Sequence, residues 1–195
     1  MKLGCNALYS YGPLTEESLF TAEATKEALR KLKEAGYDCV EYSHAFRFSL
    51  EEAQALRKYA DSIGIEPWSI HAAGPNGLGL GRTVEEAQAA LAHCLAVCAT
   101  LGTHVMVVHA VHCQPLRQGD EPGAQVRMDL DRRILELVCA RAQDLGVEIA
   151  LENGATLADM EYLLQLREVL GGPNVGYCVD TGHAHLGDLG AARAI

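Results

Sequence analysis

A parallel α/β fold, with apolar strands inside and amphipathic helices outside, is what this sequence predicts, and three observations carry it. Five times an amphipathic segment ends on a glycine and a strand-like run follows at once: Ala35-Gly36, Ile63-Gly64, Leu101-Gly102, Leu145-Gly146 and Leu170-Gly171. The runs are largely apolar rather than strictly alternating, the pattern of strands covered on both faces. Several of them stop abruptly on a carboxylate or an imidazole, and parallel α/β folds place their chemistry at those C-terminal strand ends. The repeat is one of architecture, because a glycine just past a helix tolerates the left-handed backbone that closes it.

The first strand is expected over roughly Lys2 to Leu8, followed by the loop Tyr11-Gly12-Pro13 and a helix that runs to Ala35. Tyr37 to Tyr42 is the second strand. Ser49 with Glu52 makes a capping box for a helix from Leu50, in which Ala53, Leu56, Ala60 and Ile63 recur at three- and four-residue steps. The third strand, Ile65 to His71, leaves through Gly74-Pro75-Asn76-Gly77-Leu78-Gly79-Leu80-Gly81, which matches no phosphate-loop spacing and reads as a mobile loop. Thr83 with Glu86 is a second capping box. The fourth strand is Thr103 to His109; a polar excursion to Gly123 precedes a helix with Leu130, Ile134, Leu137, Val138, Ala142 and Leu145 on one face. The fifth strand ends at Glu152, and its helix carries Met160, Leu163 and Leu164. The sixth ends at Asp180, with a last helix barely begun at Leu189.

That order excludes some architectures. No strand is followed by the glycine fingerprint of a dinucleotide-binding sheet, so a (β/α)8 barrel fits better than a doubly wound one. Such barrels typically run to about 250 residues. A chain of 195 residues is therefore expected to be a single domain over 1–195, truncated to about six βα units, with its C-terminal units missing or supplied by a partner.

Composition narrows the function. The chain is 49% hydrophobic and 22% charged, ordinary for a globular domain. A formal charge of −10 repels phosphate backbones and anionic membranes, so nucleic acid is a disfavoured partner. Neither an apolar signal region nor a run of about 18 apolar residues is present, so no membrane association is expected. The odd number of cysteines, seven, spread through strands and helices, suits reduced thiols in a cytoplasmic protein. Cys94 and Cys98 share a helical face, but one that also carries Leu91, Leu95 and Leu101, so they read as core.

The last polar residues of the strands form a constellation: Glu41, His71, His109, Glu152 and Asp180, with His183 and His185 in the loop that follows. On one rim of a barrel, such residues converge however far apart they lie in the chain. Carboxylate oxygens and imidazole nitrogens suit a divalent ion such as zinc, manganese, magnesium or cobalt. An unpaired charge at the end of an apolar strand is costly, which favours function over helix capping for Glu152 and Asp180. His71 and His109 read equally well as core histidines bonded to backbone. His112 and His185 carry less signal, His44, His93 and His104 read as structural or surface residues, and Trp68 reads as packing.

Three stretches carry a family resemblance: Glu152-Asn153 after the fifth strand, Asp180-Thr181-Gly182-His183 after the sixth, and Gly36-Tyr37-Asp38-Cys39-Val40-Glu41 at the second. They resemble the xylose-isomerase-like barrel superfamily, which holds sugar-phosphate isomerases and epimerases together with zinc-type apurinic endonucleases, and the resemblance runs over essentially the whole chain. It implies that Glu152 and Asp180 are metal ligands and that His183 contacts substrate or a further metal. It also sets His71 and His109 where the endonucleases place additional zinc ligands. The family would complete the site with a His from a seventh unit and a Glu from an eighth.

The expected activity is a divalent-metal-dependent isomerase or epimerase of a small sugar or sugar-like ketose. Glu152 would exchange a proton through an enediolate, and His183, His185, Glu41 and Asn153 would contact the sugar. Two alternatives stand beside it. A zinc phosphodiesterase for abasic sites gains from the histidines and loses from the −10 charge and the lack of a basic, aromatic-studded loop. An inactive partial barrel would associate with its own kind through the open edge of its sixth strand.

Overall fold

The computed structural model describes residues 1–8, 21–43, 47–72, 83–110, 121–187 and 190. Six strands alternate with six helices, in the order β1 (Gly4–Asn6), α1 (Ala22–Glu34), β2 (Cys39–Tyr42), α2 (Leu50–Ile63), β3 (Glu66–His71), α3 (Val84–Leu101), β4 (Val105–His109), α4 (Glu121–Asp144), β5 (Glu148–Glu152), α5 (Leu157–Leu170), β6 (Val175–Cys178) and α6 (Thr181–Leu186). The strands follow one another in the sheet as they do in the chain. Two compact units share this order: residues 1–72 with 93–106, and 73–92 with 107–195.

In the first unit β1, β2 and β3 run parallel, with Gly4 opposite Cys39, Asn6 opposite Glu41, and Glu41 opposite Ser69 past an irregularity after Val40. Val40 and Tyr42 are fully buried on one face of β2, and burial raises the Tyr42 phenol well above its ordinary range. Helix α1 buries Ala28, Leu29 and Leu32, and α2 buries Ala53, Leu56 and Ala60, the three- and four-residue spacing read from the sequence. The Ser49 capping box is complete: Glu52 N donates to Ser49 Oγ at 3.2 Å, and Ser49 N donates to Glu52 Oε2 at 2.8 Å. Such a cap is worth about 1 kcal/mol. Arg57 Nη1 donates to Leu101 O at 2.9 Å and so ties α2 to the end of α3.

In the second unit β5 and β6 run parallel, with Ile149 opposite Val175 and Glu152 opposite Cys178. Ile149, Ala150 and Leu151 are buried, so both faces of β5 are covered. A capping box the sequence reading missed, Thr156 with Asp159, starts α5. Also unforeseen is the fully buried Asp131 of α4, which accepts a hydrogen bond from Tyr162 Oη of α5 at 2.5 Å. Burial first, and the Asp131 charge second, push the Tyr162 phenol far up. Asn174 donates to Cys139 O and Val147 O at 3.0 and 3.3 Å, tying the turn before β6 to α4 and the start of β5.

All five helix-closing glycines have positive φ, from 66° at Gly171 to 91° at Gly36, as the sequence required. The Thr83–Glu86 capping box is present in both arms. Elsewhere the sequence-based boundaries shift. Strand β1 is three residues long, and β4 begins at Val105 rather than Thr103. Helix α4 starts at Glu121, ahead of Gly123, and buries Ile134, Leu135, Val138, Cys139 and Ala142 while Leu137 and Leu145 stay exposed. Leu164 of α5 is exposed as well. Strand β6 stops at Cys178, and the stretch read as a loop bearing His183 and His185 is the helix α6.

Trp68 is 43% exposed rather than packed, with Lys2 Nζ 5.2 Å from its ring centroid. The described cysteines are free thiols, and burial pushes those of Cys98 and Cys139 up to about 11. Among the described residues no helix is long and apolar enough to cross a membrane. The Tyr11-Gly12-Pro13 loop, the glycine-rich exit 74–81, His44, His112, Cys113 and Leu189 lie outside the described residues.

Candidate metal centre

The site in the second unit begins with Glu152, the last residue of β5, carried to its place by three buried apolar residues and itself only 7% exposed. A carboxylate taken that far from water needs charged or polar company. His109, the last residue of β4, supplies some of it, with Nε2 2.8 Å from Glu152 Oε2. The His109 and His183 rings stand 5.5 Å apart between centroids, tilted by 49°.

Asp180 arrives two residues past the end of β6 and serves as N-cap of α6, its Oδ1 accepting from His183 N at 2.8 Å. The capping role set aside on sequence grounds is therefore real, and it uses one oxygen; Oδ2 lies 3.7 Å from His183 Nδ1. One turn of helix brings the imidazole back over the carboxylate that starts it. His183 Nδ1 is 3.0 Å from Asn153 O and 3.9 Å from Glu152 Oε1. A carbonyl only accepts, so this contact places a proton on Nδ1 and leaves the Nε2 lone pair to other partners.

Ligand atoms of Glu152, Asp180 and His183 all lie within 4.8 Å of one another. Atoms about 2.0–2.2 Å from a shared ion stand about 3–4 Å apart, so a modest inward movement of these side chains would close them round a cation. Two acids and an imidazole also make a hard-to-borderline donor set whose negative charge a divalent ion neutralises. The residues fit such an ion. Glu152, Asp180, His183 and His109 are thus brought together, with Asn153 bracketing them, whereas His185 is exposed on α6.

In the first unit, His71 closes β3 and Glu41 lies near the end of β2. Glu41 Oε1 accepts from Asn6 Nδ2 at 2.8 Å and Oε2 from Ser69 Oγ at 3.0 Å; Asn6 Nδ2 also meets Ser43 Oγ. A cavity of about 540 Å³ opens here, lined by Lys2, Asn6, Glu41, Trp68 and Ser69 among others.

Residues 29–194 match the family described as xylose isomerase-like TIM barrel. The chain belongs to that family. No relative matches among curated protein sequences. Solved structures agree on the fold. The D-allulose 3-epimerase from Methylomonas sp. in complex with D-allulose is 17% identical at a TM-score of 0.75, covering 100% of this chain and 67% of that one. A D-psicose 3-epimerase in the presence of D-fructose is 20% identical at a TM-score of 0.70, covering 95% and 65%. The IOLI protein with a bound zinc atom is 19% identical at a TM-score of 0.68, covering 95% and 64%. This xylose isomerase-like chain therefore spans about two thirds of the structures it resembles, as six βα units of an α/β barrel fold.

Two features of this xylose isomerase-like chain, one in each unit, escaped the sequence reading. Asn6 is a polar residue ending a strand, so the rule that found Glu41 and Glu152 applies to it as well. Gly187 abuts the backbone of Ala155 so closely that a Cβ there would lie 1.9 Å from Ala155 O, a constraint no local pattern announces.

Proposed function

We propose that this xylose isomerase-like protein is a divalent-metal-dependent isomerase or epimerase of a small sugar or sugar-like ketose, working by proton transfer through an enediolate. The observation that carries it is the convergence of Glu152, Asp180 and His183 within 4.8 Å at adjoining strand exits of a sugar-isomerase-like fold. Glu152 and Asp180 would hold the ion, with His183 and, through Glu152, His109 beside it. The ion supplies Lewis acidity that polarises a substrate carbonyl and acidifies the neighbouring C–H.

The chain's own residues do the rest. Glu152 is the proton-transfer carboxylate: burial strips it of water, and His109 Nε2 holds one of its oxygens at 2.8 Å while the other stays on the side of His183. His183, its Nδ1 proton turned to Asn153 O, presents Nε2 to a substrate hydroxyl. Glu41 and His185 are the remaining side chains assigned to sugar hydroxyls. The protein is proposed to act as one domain in the cytoplasm. Exposed Tyr177 and Val179 at β6 support self-association.

The test is solvent-deuterium exchange into a panel of ketohexoses with Mn²⁺ present. Wild type is expected to wash deuterium in, and Glu152→Gln to lose that exchange; undiminished exchange in the variant removes Glu152 from the mechanism. A zinc phosphodiesterase is the second reading, favoured by the two imidazoles flanking Glu152. Metal content separates the two: several tightly held zinc ions per chain point to the phosphodiesterase, one labile cation to the isomerase.

A further inference from the structure

Asn153 was expected to touch substrate, but its side chain is spent elsewhere. The residue is 1% exposed. Its amide has two N–H donors, and Nδ2 gives them to Gly154 O at 2.9 Å and Asp180 O at 3.0 Å. Its Oδ1 accepts from Asp180 N at 2.7 Å. The amide thus pairs with both the N–H and the C=O of Asp180, as a neighbouring strand would, two residues past the end of β6. Its main chain completes the bracket: Asn153 N donates to Cys178 O at 3.4 Å, and Asn153 O accepts from His183 Nδ1 at 3.0 Å.

We propose that Asn153 is a positioning residue: its side chain fixes the backbone of Asp180 and its main-chain carbonyl the tautomer of His183, so that Asp180 Oδ2 and the Nδ1–H edge of His183 are set beside Glu152 before any ion arrives, with the lone pair left on Nε2. Asp180 spends Oδ1 on the α6 cap, so the aim of Oδ2 depends on where its Cα is held. Only an amide of this length offers an acceptor and donors to the two backbone groups of one residue. Leucine shares its branched outline and offers none. Aspartate keeps the acceptor and loses the donors.

This inference rests on the metal-dependent reading above, and its tests separate the two. In metal-free wild type, imidazole nitrogen NMR is expected to show His183 protonated at Nδ1. Asn153→Leu keeps the carbonyl that His183 Nδ1 meets but loses the side-chain strap on Asp180, so α6 is expected to drift from that carbonyl, the His183 signals to shift to a tautomer mixture, and Mn²⁺ affinity, measured by titration calorimetry, to fall about 10–100-fold although no ligand is removed. Asn153→Asp, if Leu prevents folding, is expected to produce the same loss of a single tautomer. Wild type with His183 protonated at Nε2, or variants whose tautomer and Mn²⁺ affinity match wild type, would overturn the role of Asn153. Wild type that holds the Nδ1 tautomer yet binds no Mn²⁺ overturns the metal reading and leaves the bracket standing.

Discussion

Glu41 and Glu152 carry the same signature in sequence, an acid at the end of an apolar strand, yet the structure gives them different surroundings. Glu41 is half-buried, with both oxygens met by neutral donors from the facing positions of its two neighbouring strands, Asn6 and Ser69. Glu152 is buried, opposite Cys178, with one imidazole in contact and a second acid and imidazole within reach. Amide and hydroxyl donors satisfy a carboxylate as an acceptor and set no titratable group against it. Imidazoles and a second carboxylate are the groups that the proposed proton and cation chemistry calls for. What differs is not the acid but the register neighbours and the strand exits beside it.

Asp180 breaks the comparison most sharply, since it is both cap and candidate ligand. Asn caps a helix as well as Asp does. Asp180→Asn is therefore expected to keep α6 and the folded state while losing Mn²⁺ affinity by more than the roughly 10–100-fold typical of outer-shell changes. Glu41→Gln, by contrast, is expected to leave Mn²⁺ affinity unchanged. Calorimetric titration of the two variants side by side reads this out, and an equal loss in both would erase the distinction drawn here.

A pair of glycines gives the next effect. At Gly187 an added Cβ would lie 1.9 Å from Ala155 O, and backbone cannot step aside. At Gly102 it would lie 1.5 Å from Arg57 Nη1, the end of a flexible side chain, with the strain of φ +73° added. Gly187→Ala is expected to destabilise the second unit by about 1–3 kcal/mol and displace α6. Gly102→Ala is expected to cost about 1 kcal/mol and the Arg57–Leu101 bond. Urea denaturation orders the two; a larger loss at Gly102 would mean that α2 and α3 are held more rigidly than the exit of β6.

Much of the fold was legible because its signals are local. Gly36, Gly64, Gly102, Gly146 and Gly171 mark helix ends through a backbone requirement each satisfies alone. Ser49 with Glu52 and Thr83 with Glu86 are devices at a three-residue spacing. Glu152 and Asp180 were legible for the same reason, an acid where an apolar run stops. What could not be read involves partners far along the chain: Tyr162 with Asp131, Gly187 with Ala155, Asn153 with Asp180. Val179 and Asp180 looked like strand because a capping carboxylate and a strand-terminating one have the same sequence, and only the hydrogen bond from His183 N tells them apart.

The smallest effect is expected at Ser69, and it measures how far the two acids differ. Ser69 is 5% exposed and donates to Glu41 Oε2 at 3.0 Å. Ser69→Ala removes that donor, but Asn6 still holds Oε1, and a half-buried carboxylate recovers part of its solvation from water. The loss is expected to be about 0.5–1.5 kcal/mol, the net worth of an ordinary hydrogen bond. Chemical denaturation at neutral pH measures it. A loss as large as that of Gly187→Ala would show Glu41 behaving as a buried charge that depends on every donor it has, as Glu152 is argued to be.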